Sequence, residues 1–176
     1  TLWATKEGLV FDSGRQRAGD VSRLVFCGAR RDVRVHAERP DEHRVNYLIG
    51  DDPSGWRTGI STSRAVVYEG VYDAIDLKVY GRERQVEYDW IVKPGGDPDD
   101  IDLRLEGTAS TRLDGRGDLV VRGPAGEIRH RKPVSYQVID GKRRSVRAAF
   151  ESLAGGSYGI RVGRYNRAYD LVIDPL

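Results

Sequence analysis

The clearest structural pattern in this chain is the alternation in Gln85-Val86-Glu87-Tyr88-Asp89-Trp90-Ile91-Val92. Every second side chain there is apolar: Val86, Tyr88, Trp90 and Val92. The residues between them are polar up to Asp89. Successive side chains of a β-strand point to opposite faces, so this spacing indicates a strand with one buried face. We therefore predict a half-buried strand over residues 85–92.

The same alternation continues on both sides of this stretch. Residues 75–79 alternate between an aliphatic and a charged side chain, and residues 101–105 repeat the pattern downstream. Gly or Pro interrupts nearly every window that would otherwise hold a helix of average length. The pattern therefore predicts an all-β chain with little or no helix.

Turn-forming residues separate the predicted strands at short intervals. Asp140-Gly141 is a favoured pair for a two-residue hairpin, and residues 114–118 and 123–126 are glycine-rich turns. Asp97-Pro98 is typical of the start of a short helical turn. About twelve short, hairpin-connected strands predict an antiparallel two-layer β-sandwich or an open barrel. We expect residues 1–176 to form a single domain.

One segment, residues 146–153, fits two secondary structures. Its apolar residues follow the helical spacing i, i+3, i+4 and i+7, and Gly155-Gly156 would end such a helix. Val146, Ala148 and Phe150 fit the alternation of a strand equally well. The hairpin turn directly before the segment favours the strand.

Composition excludes several classes of protein. The 29 basic and 27 acidic residues give a net charge of +2, which is too balanced for a nucleic-acid-binding surface. The basic stretch at residues 29–34 is better explained as the solvent face of a strand. No apolar run is long enough for membrane insertion. Met is absent, so we expect the chain to be a processed product or a segment of a larger multidomain protein.

Residues that could hold a metal or a nucleophile are few. Cys27 is the only cysteine, and no two of the three histidines have a metal-ligand spacing. Asp97, Asp99 and Asp100, followed by Asp102, are candidate ligands for a hard cation such as Ca²⁺. Their spacing does not match an EF-hand, and a solvated turn that caps a short helix is the favoured interpretation. We expect no cofactor and no catalytic residue.

The candidate ligand-binding residues are Trp56, Arg57 and Asp52. Trp56 follows a turn, and an exposed Trp beside charged residues is suited to stacking on a sugar ring. Large aromatic residues are usually well buried, however. We therefore favour the interpretation that Trp56 plugs one end of the sandwich.

Several stretches resemble a known bacterial domain. They are NYLIGDDPSGWRTGI (46–60), VVYEGVYDAIDLKVYG (66–81), QVEYDWIVKPGGDPDDIDLRLEG (85–107), DGRGDLVVRGPAGEIRHRKPVSYQ (114–137), LVIDP (171–175) and the weaker GLVFD (8–12). Their order and spacing resemble the β-rich N-terminal domain that precedes SBBP (seven-bladed β-propeller) repeats in large exported proteins. The resemblance implies a secreted or cell-surface protein, and it carries over no catalytic residue.

Three functions follow as hypotheses. The first is a non-catalytic structural or interaction module that contacts neighbouring domains of the same polypeptide, a surface polymer or another protein. The second is a carbohydrate-binding module that uses exposed aromatics such as Trp56. The third is a glycoside- or ester-type hydrolase whose carboxylates are paired only in the folded chain. A broad apolar patch favours the first, an exposed Trp56 the second, and a groove with two close carboxylates the third.

Overall fold

A computed structural model describes residues 2–12, 21–48, 51–82, 85–123 and 126–175. In these residues the chain is all-β: sixteen strands and three short 3-10 turns account for the regular structure. The strands are β1 Leu2–Thr5, β2 Gly8–Asp12, β3 Val21–Phe26, β4 Arg34–Tyr47, β5 Arg57–Tyr72, β6 Ile75–Arg82, β7 Gln85–Val92, β8 Leu103–Glu106, β9 Ser110–Leu113, β10 Leu119–Gly123, β11 Gly126–His130, β12 Val134–Ile139, β13 Lys142–Val146, β14 Ala148–Ser152, β15 Tyr158–Val162 and β16 Leu171–Asp174. The 3-10 turns are Pro53–Gly55, Pro98–Asp100 and Ala154–Gly156.

The strands form three antiparallel sheets. A six-stranded sheet has the order β1-β2-β3-β8-β15-β14, and a seven-stranded sheet has the order β13-β12-β16-β7-β6-β5-β4. A smaller sheet has the order β11-β10-β9. This confirms the predicted all-β, antiparallel sandwich and leaves no closed barrel. The strands are more numerous than the expected twelve, and two of them are long.

The core lies between the inner faces of the two large sheets. Trp90 of β7 is fully buried, and its ring lies 5.5 Å from that of Phe26 in β3 and 5.9 Å from that of Tyr72 in β5. The predicted strand over residues 85–92 is confirmed, and Tyr88 and Val92 share the buried face with Trp90, whereas Val86, predicted for the same face, is 46% exposed at the start of the strand. Packed aromatic rings bury large areas, so this cluster joins the two layers firmly.

The three-stranded sheet is attached to the sandwich through a buried polar pair. The hydroxyl of Tyr88 in β7 lies 3.1 Å from Nδ1 of His130 in β11, and both residues are buried. Burial raises the pKa of Tyr88, so its hydroxyl stays protonated. Burial lowers the pKa of His130 to about 4, which keeps the imidazole neutral, and the tautomer of the ring sets which of the two groups donates.

The predicted turns have the expected chemistry. Asp140 and Gly141 join β12 to β13 with φ values of 51° and 71°, the left-handed conformation of a primed hairpin turn. The segment at residues 146–153 is confirmed as a strand, because β14 spans Ala148–Ser152. The prediction of a strand at residues 29–34 is wrong. Residues 29–33 form the connection before β4, and Val33 within it is buried.

A buried amide fastens the loop between β15 and β16 to the seven-stranded sheet. Gln137 of β12 is 2% exposed, and its Nε2 donates to the carbonyls of Asn166 at 2.8 Å and Tyr169 at 3.0 Å. Its Oε1 accepts from the Asn166 backbone N–H at 2.8 Å. These contacts satisfy backbone groups that the loop would otherwise leave unpaired beside the core.

Candidate functional site

The most unusual feature of the fold is a hairpin that extends beyond the seven-stranded sheet. Strands β4 and β5 have 14 and 16 residues, but β6 has Cα partners on β5 only from Ala65 onward. The described residues 44–48 and 51–64 therefore form a ribbon of two paired strands and their connection. We call this ribbon the arm.

The arm buries very little of its own surface. Every residue from Asp51 to Ser61 is exposed, and so is Leu48, which makes three exposed large apolar side chains on the arm. Leu48 is 56% exposed, Trp56 39% and Ile60 37%. A ribbon of two strands is at best marginally stable when it has nothing to pack against. The arm is thus a surface suited to contact with another molecule or domain.

The predicted ligand-binding residues Asp52, Trp56 and Arg57 lie close together in sequence at the tip of the arm, but their structural roles differ. Asp52 caps the Pro53–Gly55 turn: its Oδ1 accepts from the Ser54 backbone N–H and its Oδ2 from the Ser54 hydroxyl, both at 2.9 Å. The backbone hydrogen bond from Ser54 lowers the pKa of Asp52. Since both oxygens are engaged in the turn, Asp52 is a structural residue rather than a ready ligand contact.

Trp56 and Arg57 follow that turn, and both are exposed. The interpretation of Trp56 as a plug for the sandwich is wrong, because the residue sits on the arm and away from the core. In the described part of the chain, β4 is the only strand that pairs with β5 between Arg57 and Arg64. An exposed indole at a turn can stack on a flat apolar partner, whether a side chain or a sugar ring.

The opposite end of β5 borders an acidic groove. A cavity of about 460 Å³ is lined by residues of four connections, including Cys27, Tyr72, Asp99, Asp100 and Asp102. On its rim the guanidinium of Arg30 bridges Asp32 at 2.8 Å and Asp73 at 2.5 Å. Loops that cluster at one end of a sandwich are a usual place for a binding site.

Two of the four aspartates predicted as cation ligands have contacts in or beside the Pro98–Asp100 turn, one through its carboxylate and one through its backbone. Asp97 is the N-cap of the Pro98–Asp100 turn and accepts from the Asp99 backbone N–H at 3.2 Å. Asp102 directly precedes β8, and its carbonyl accepts from the Tyr72 hydroxyl at 3.0 Å. Within the part of the chain that the structure describes, no three His, Cys, Asp or Glu side chains are arranged to hold a metal ion.

The thiol of Cys27 lines the same groove. Burial, reinforced by the nearby Asp102 carboxylate, raises the pKa of Cys27. The thiolate, not the thiol, is the nucleophile and the metal ligand. The environment of Cys27 therefore works against nucleophilic chemistry.

Folding also brings carboxylates together on the outer face of the seven-stranded sheet. Burial raises the pKa of Asp89 in β7 to about 6, and the charge of Asp174 in β16 adds to the effect. Tyr80 donates to Asp89 Oδ1 at 3.2 Å, and the pKa of Asp174 is raised by burial too. A cavity of about 300 Å³ includes Asp89 and Tyr80 in its lining but not Asp174. Asp174 thus raises the pKa of Asp89 without lining the same cavity.

The histidines are dispersed. His130 is the buried partner of Tyr88, and His36 of β4 lies on the sheet surface with Nε2 3.9 Å from Glu69. The side chain of His43 lies outside the described residues. Among the described residues, no helix combines the length and apolar character needed to cross a bilayer.

Comparison with known protein families identifies the family of this chain. A family model described as a domain of unknown function, DUF7948, matches residues 5–176. The chain belongs to the DUF7948 family. No curated protein and no solved structure matches it. The match runs from β1 to the end of the chain, so this DUF7948 domain includes the arm, the acidic groove and all three sheets.

The sequence analysis missed the arm as a unit. A signal for it was present in residues 57–64, where Ile60 is the only large apolar residue in eight positions. A strand without a repeated apolar face has no side chains to turn toward a core. The pairing of Asp89 with Asp174 carried no such signal, because these residues are far apart in sequence and meet only through the β7–β16 ladder.

Proposed function

We propose that this DUF7948 domain is a non-catalytic interaction module of a large exported or cell-surface bacterial protein, and that the arm is its docking element. The observation that carries the proposal is the exposure of Leu48, Trp56 and Ile60 on a ribbon that, in the described part of the chain, consists of β4 and β5 alone. Large exposed apolar patches usually mark a contact surface. The neighbouring domains of the same polypeptide are the expected partners, and a surface polymer or another protein is a further one.

The setting outside the cell rests on the sequence resemblance to domains that precede SBBP repeats. The matching stretches contain mainly core and turn residues, so they support kinship of fold. That this protein is exported is inferred from this resemblance alone. Detection of the native protein in the culture medium or the cell envelope, rather than in the cytoplasm, tests this part of the proposal.

The chemistry of the other candidate sites supports a non-catalytic role. Cys27 is held toward the thiol form, and Asp97 caps the Pro98–Asp100 turn. Asp89 and Asp174 have the raised pKa values expected of paired acids, but only Asp89 borders a cavity. A hydrolase needs both carboxylates to face one bound substrate.

Hydrogen–deuterium exchange tests the docking role directly. We expect amides of the arm to exchange rapidly in the 176-residue chain and slowly in the native longer protein. The Asp140-Gly141 turn serves as the control, and its exchange should be the same in both samples. Equal, rapid exchange of the arm in both samples would show that it contacts no neighbour and would overturn the proposal.

Carbohydrate binding is the second candidate function, and the exposed Trp56 favours it. Stacking on a sugar would make the affinity depend on the indole ring. Affinity electrophoresis in gels that contain soluble polysaccharides should then show retardation of the wild type and of Val138→Ser, but not of Trp56→Ala. Val138 is a suitable control because it is exposed on β12, away from the arm. Equal mobility of all three proteins in every polysaccharide excludes this function for Trp56.

A further inference from the structure

Basic residues are concentrated around β13, the strand at one edge of the seven-stranded sheet. Between His130 and Ala148 the sequence has six basic residues and a single acidic residue, Asp140. The basic residues are Arg131, Lys132, Lys142, Arg143, Arg144 and Arg147. The net charge of the whole chain, +2, conceals this separation of charge. An edge with so many like charges is suited to an anionic partner.

Three of these basic residues have no ion-pair partner in the described part of the chain. They are Lys142, Arg144 and Arg147, and all three are exposed. The range 126–175 around them is described throughout. Acidic side chains that are not described lie in β4 or adjoin β3 and β6 in sequence, and they are Asp20, Asp41, Glu42 and Glu83. Since β4 is the strand at the opposite edge of the same sheet, the cations of β13 are left for a partner.

The backbone of β13 is open to pairing on its outer side. β13 is the last strand of its sheet, and no described backbone group hydrogen-bonds to its free edge. The two-residue turn from β12 makes Lys142 the first residue of β13 that is hydrogen-bonded to β12. In an antiparallel ladder such residues alternate with residues whose N–H and C=O point away from the partner strand. The backbone groups of Arg143 and Ser145 therefore point outward, where an added strand would meet them.

One face of β13 carries two cations and then an apolar residue. Lys142, Arg144 and Val146 are alternate residues, and the last two lie opposite Gln137 and Ser135, which are buried on the inner side of the sheet. Beside Val146 lies an open cavity of about 580 Å³, with no acidic side chain among its described lining residues. Its apolar lining includes Val134, Ala148, Ala149 and Val162. The face thus matches a strand with two acidic side chains and one apolar side chain.

We propose that β13 binds an extended acidic segment of a partner protein as an added antiparallel strand. The segment has the pattern apolar-x-acid-x-acid, and these side chains lie opposite Val146, Arg144 and Lys142. In strand addition, main-chain hydrogen bonds supply affinity and alternate side chains supply specificity. A second copy of the chain is a poor partner, because its β13 carries the same cations, and charged edge strands resist pairing with their own kind. This surface is separate from the arm and does not depend on the docking role of the arm.

Titration of the isotope-labelled whole chain, followed by nuclear magnetic resonance, tests the site. The probe is the peptide Thr-Val-Thr-Glu-Thr-Glu-Thr with blocked ends, and the control peptide has Lys at both Glu positions. We expect the amide signals of residues 142–147 to shift with the Glu probe and not with the Lys probe. The signals of β9, an edge strand of the small sheet, should stay in place. No shift at residues 142–147 with millimolar probe, or equal shifts with both peptides, overturns the proposal.

Charge reversal tests the two cations. The double variant Lys142→Glu/Arg144→Glu should bind the Glu probe about tenfold more weakly or worse, because each acid then meets a like charge. It should gain binding of the Lys probe, which also shows that the variant is folded. Arg112→Glu is the matched control, since Arg112 is exposed on the edge strand β9, and it should leave both affinities unchanged. An unchanged preference for the Glu probe in the double variant contradicts the assignment.

N-methylation of the probe tests strand pairing and leaves the protein unaltered. The amides of the third and fifth probe residues would face β13, and those of the second and fourth would face away. Methylation of the third and fifth amides should abolish binding, whereas methylation of the second and fourth should preserve it. Equal binding of the two methylated probes, whether strong or absent, overturns strand addition. Strong binding of both would show that the edge attracts any polyanion without pairing.

Discussion

At the scale of single residues, a buried base and a half-buried acid respond to the same range of pH. His130 is a base held neutral by burial, and Asp89 is an acid whose ionisation is opposed by burial and by Asp174. In the unfolded chain both side chains are exposed to water. Protons are therefore taken up by His130 and released by Asp89 when the chain unfolds near pH 5, and the two contributions to stability have opposite slopes.

Mutation of His130 isolates the first contribution. Its pKa is about 4 in the folded chain and 6.5 in the unfolded chain, so the unfolded state binds the extra proton between these values. Stability should fall as the pH drops from 6.5 to 4, by about 3 kcal/mol at most, since one pKa unit corresponds to about 1.4 kcal/mol. In His130→Gln, urea unfolding followed by circular dichroism should lose this part of the pH dependence. An unchanged slope would contradict the assignment.

Mutation of Asp89 isolates the second contribution, which has the opposite sign. Its pKa is about 6 in the folded chain against 3.8 in the unfolded chain, so the folded state holds the extra proton between these values. Ionisation of Asp89 should lower stability as the pH rises from 3.8 to 6. Asp89→Asn should remove this loss, and Asp174→Asn should reduce it by removing the neighbouring charge. The free energy of unfolding, measured at several pH values in this range, provides the check.

At the scale of elements, the hairpins depend on turn residues that accept left-handed backbone angles. Gly141 has φ of 71° in the two-residue turn between β12 and β13, where Asp140 also has positive φ. An added side chain would meet no atom within 4 Å at Gly141 or at Gly115. Gly115 differs only in lacking a positive φ. Since neither position would have a steric clash, a comparison of alanine substitutions at the two glycines measures the cost of backbone strain.

Alanine substitution at these two glycines should give different results. Gly141→Ala places a Cβ in the left-handed region and should destabilise the chain by about 1 kcal/mol. Gly115→Ala should leave stability unchanged or raise it slightly, because alanine lowers the entropy of the unfolded chain. Thermal unfolding of both variants under identical conditions measures the difference. Equal melting temperatures would show that the β12–β13 turn tolerates the strain.

At the scale of the whole molecule, the sandwich buries many apolar side chains and the arm buries few. The core contains fully buried residues from both large sheets, such as Leu77, Trp90 and Leu103. The arm, by contrast, consists mainly of exposed residues. The body should therefore fold without the arm, which would make the arm an appendage free to serve docking.

An arm-less variant tests this division. Pro40 and Ser63 are paired in the ladder, so replacing residues 41–62 with Asn-Gly closes the hairpin with a two-residue turn. We expect the free energy of unfolding to change by less than about 1 kcal/mol, because those of the removed residues that the structure describes bury little apolar surface. Leu77→Ala in the core is the comparison and should cost about 2–5 kcal/mol. If the arm-less variant loses as much unfolding free energy as Leu77→Ala, the arm contributes to the stability of the sandwich.

Alternation and turn chemistry were sufficient to predict the class of fold, the strand around Trp90, the β14 strand and the hairpin at Asp140-Gly141. Each depends on neighbours in sequence: a strand points every second side chain inward, and a turn needs residues that accept its backbone angles. The exposure of Trp56, the contact of Tyr88 with His130 and the effect of Asp174 on Asp89 were beyond such reasoning. They depend on which strands become neighbours and on how far β6 extends along β5, and these long-range pairings are settled by packing of the whole chain.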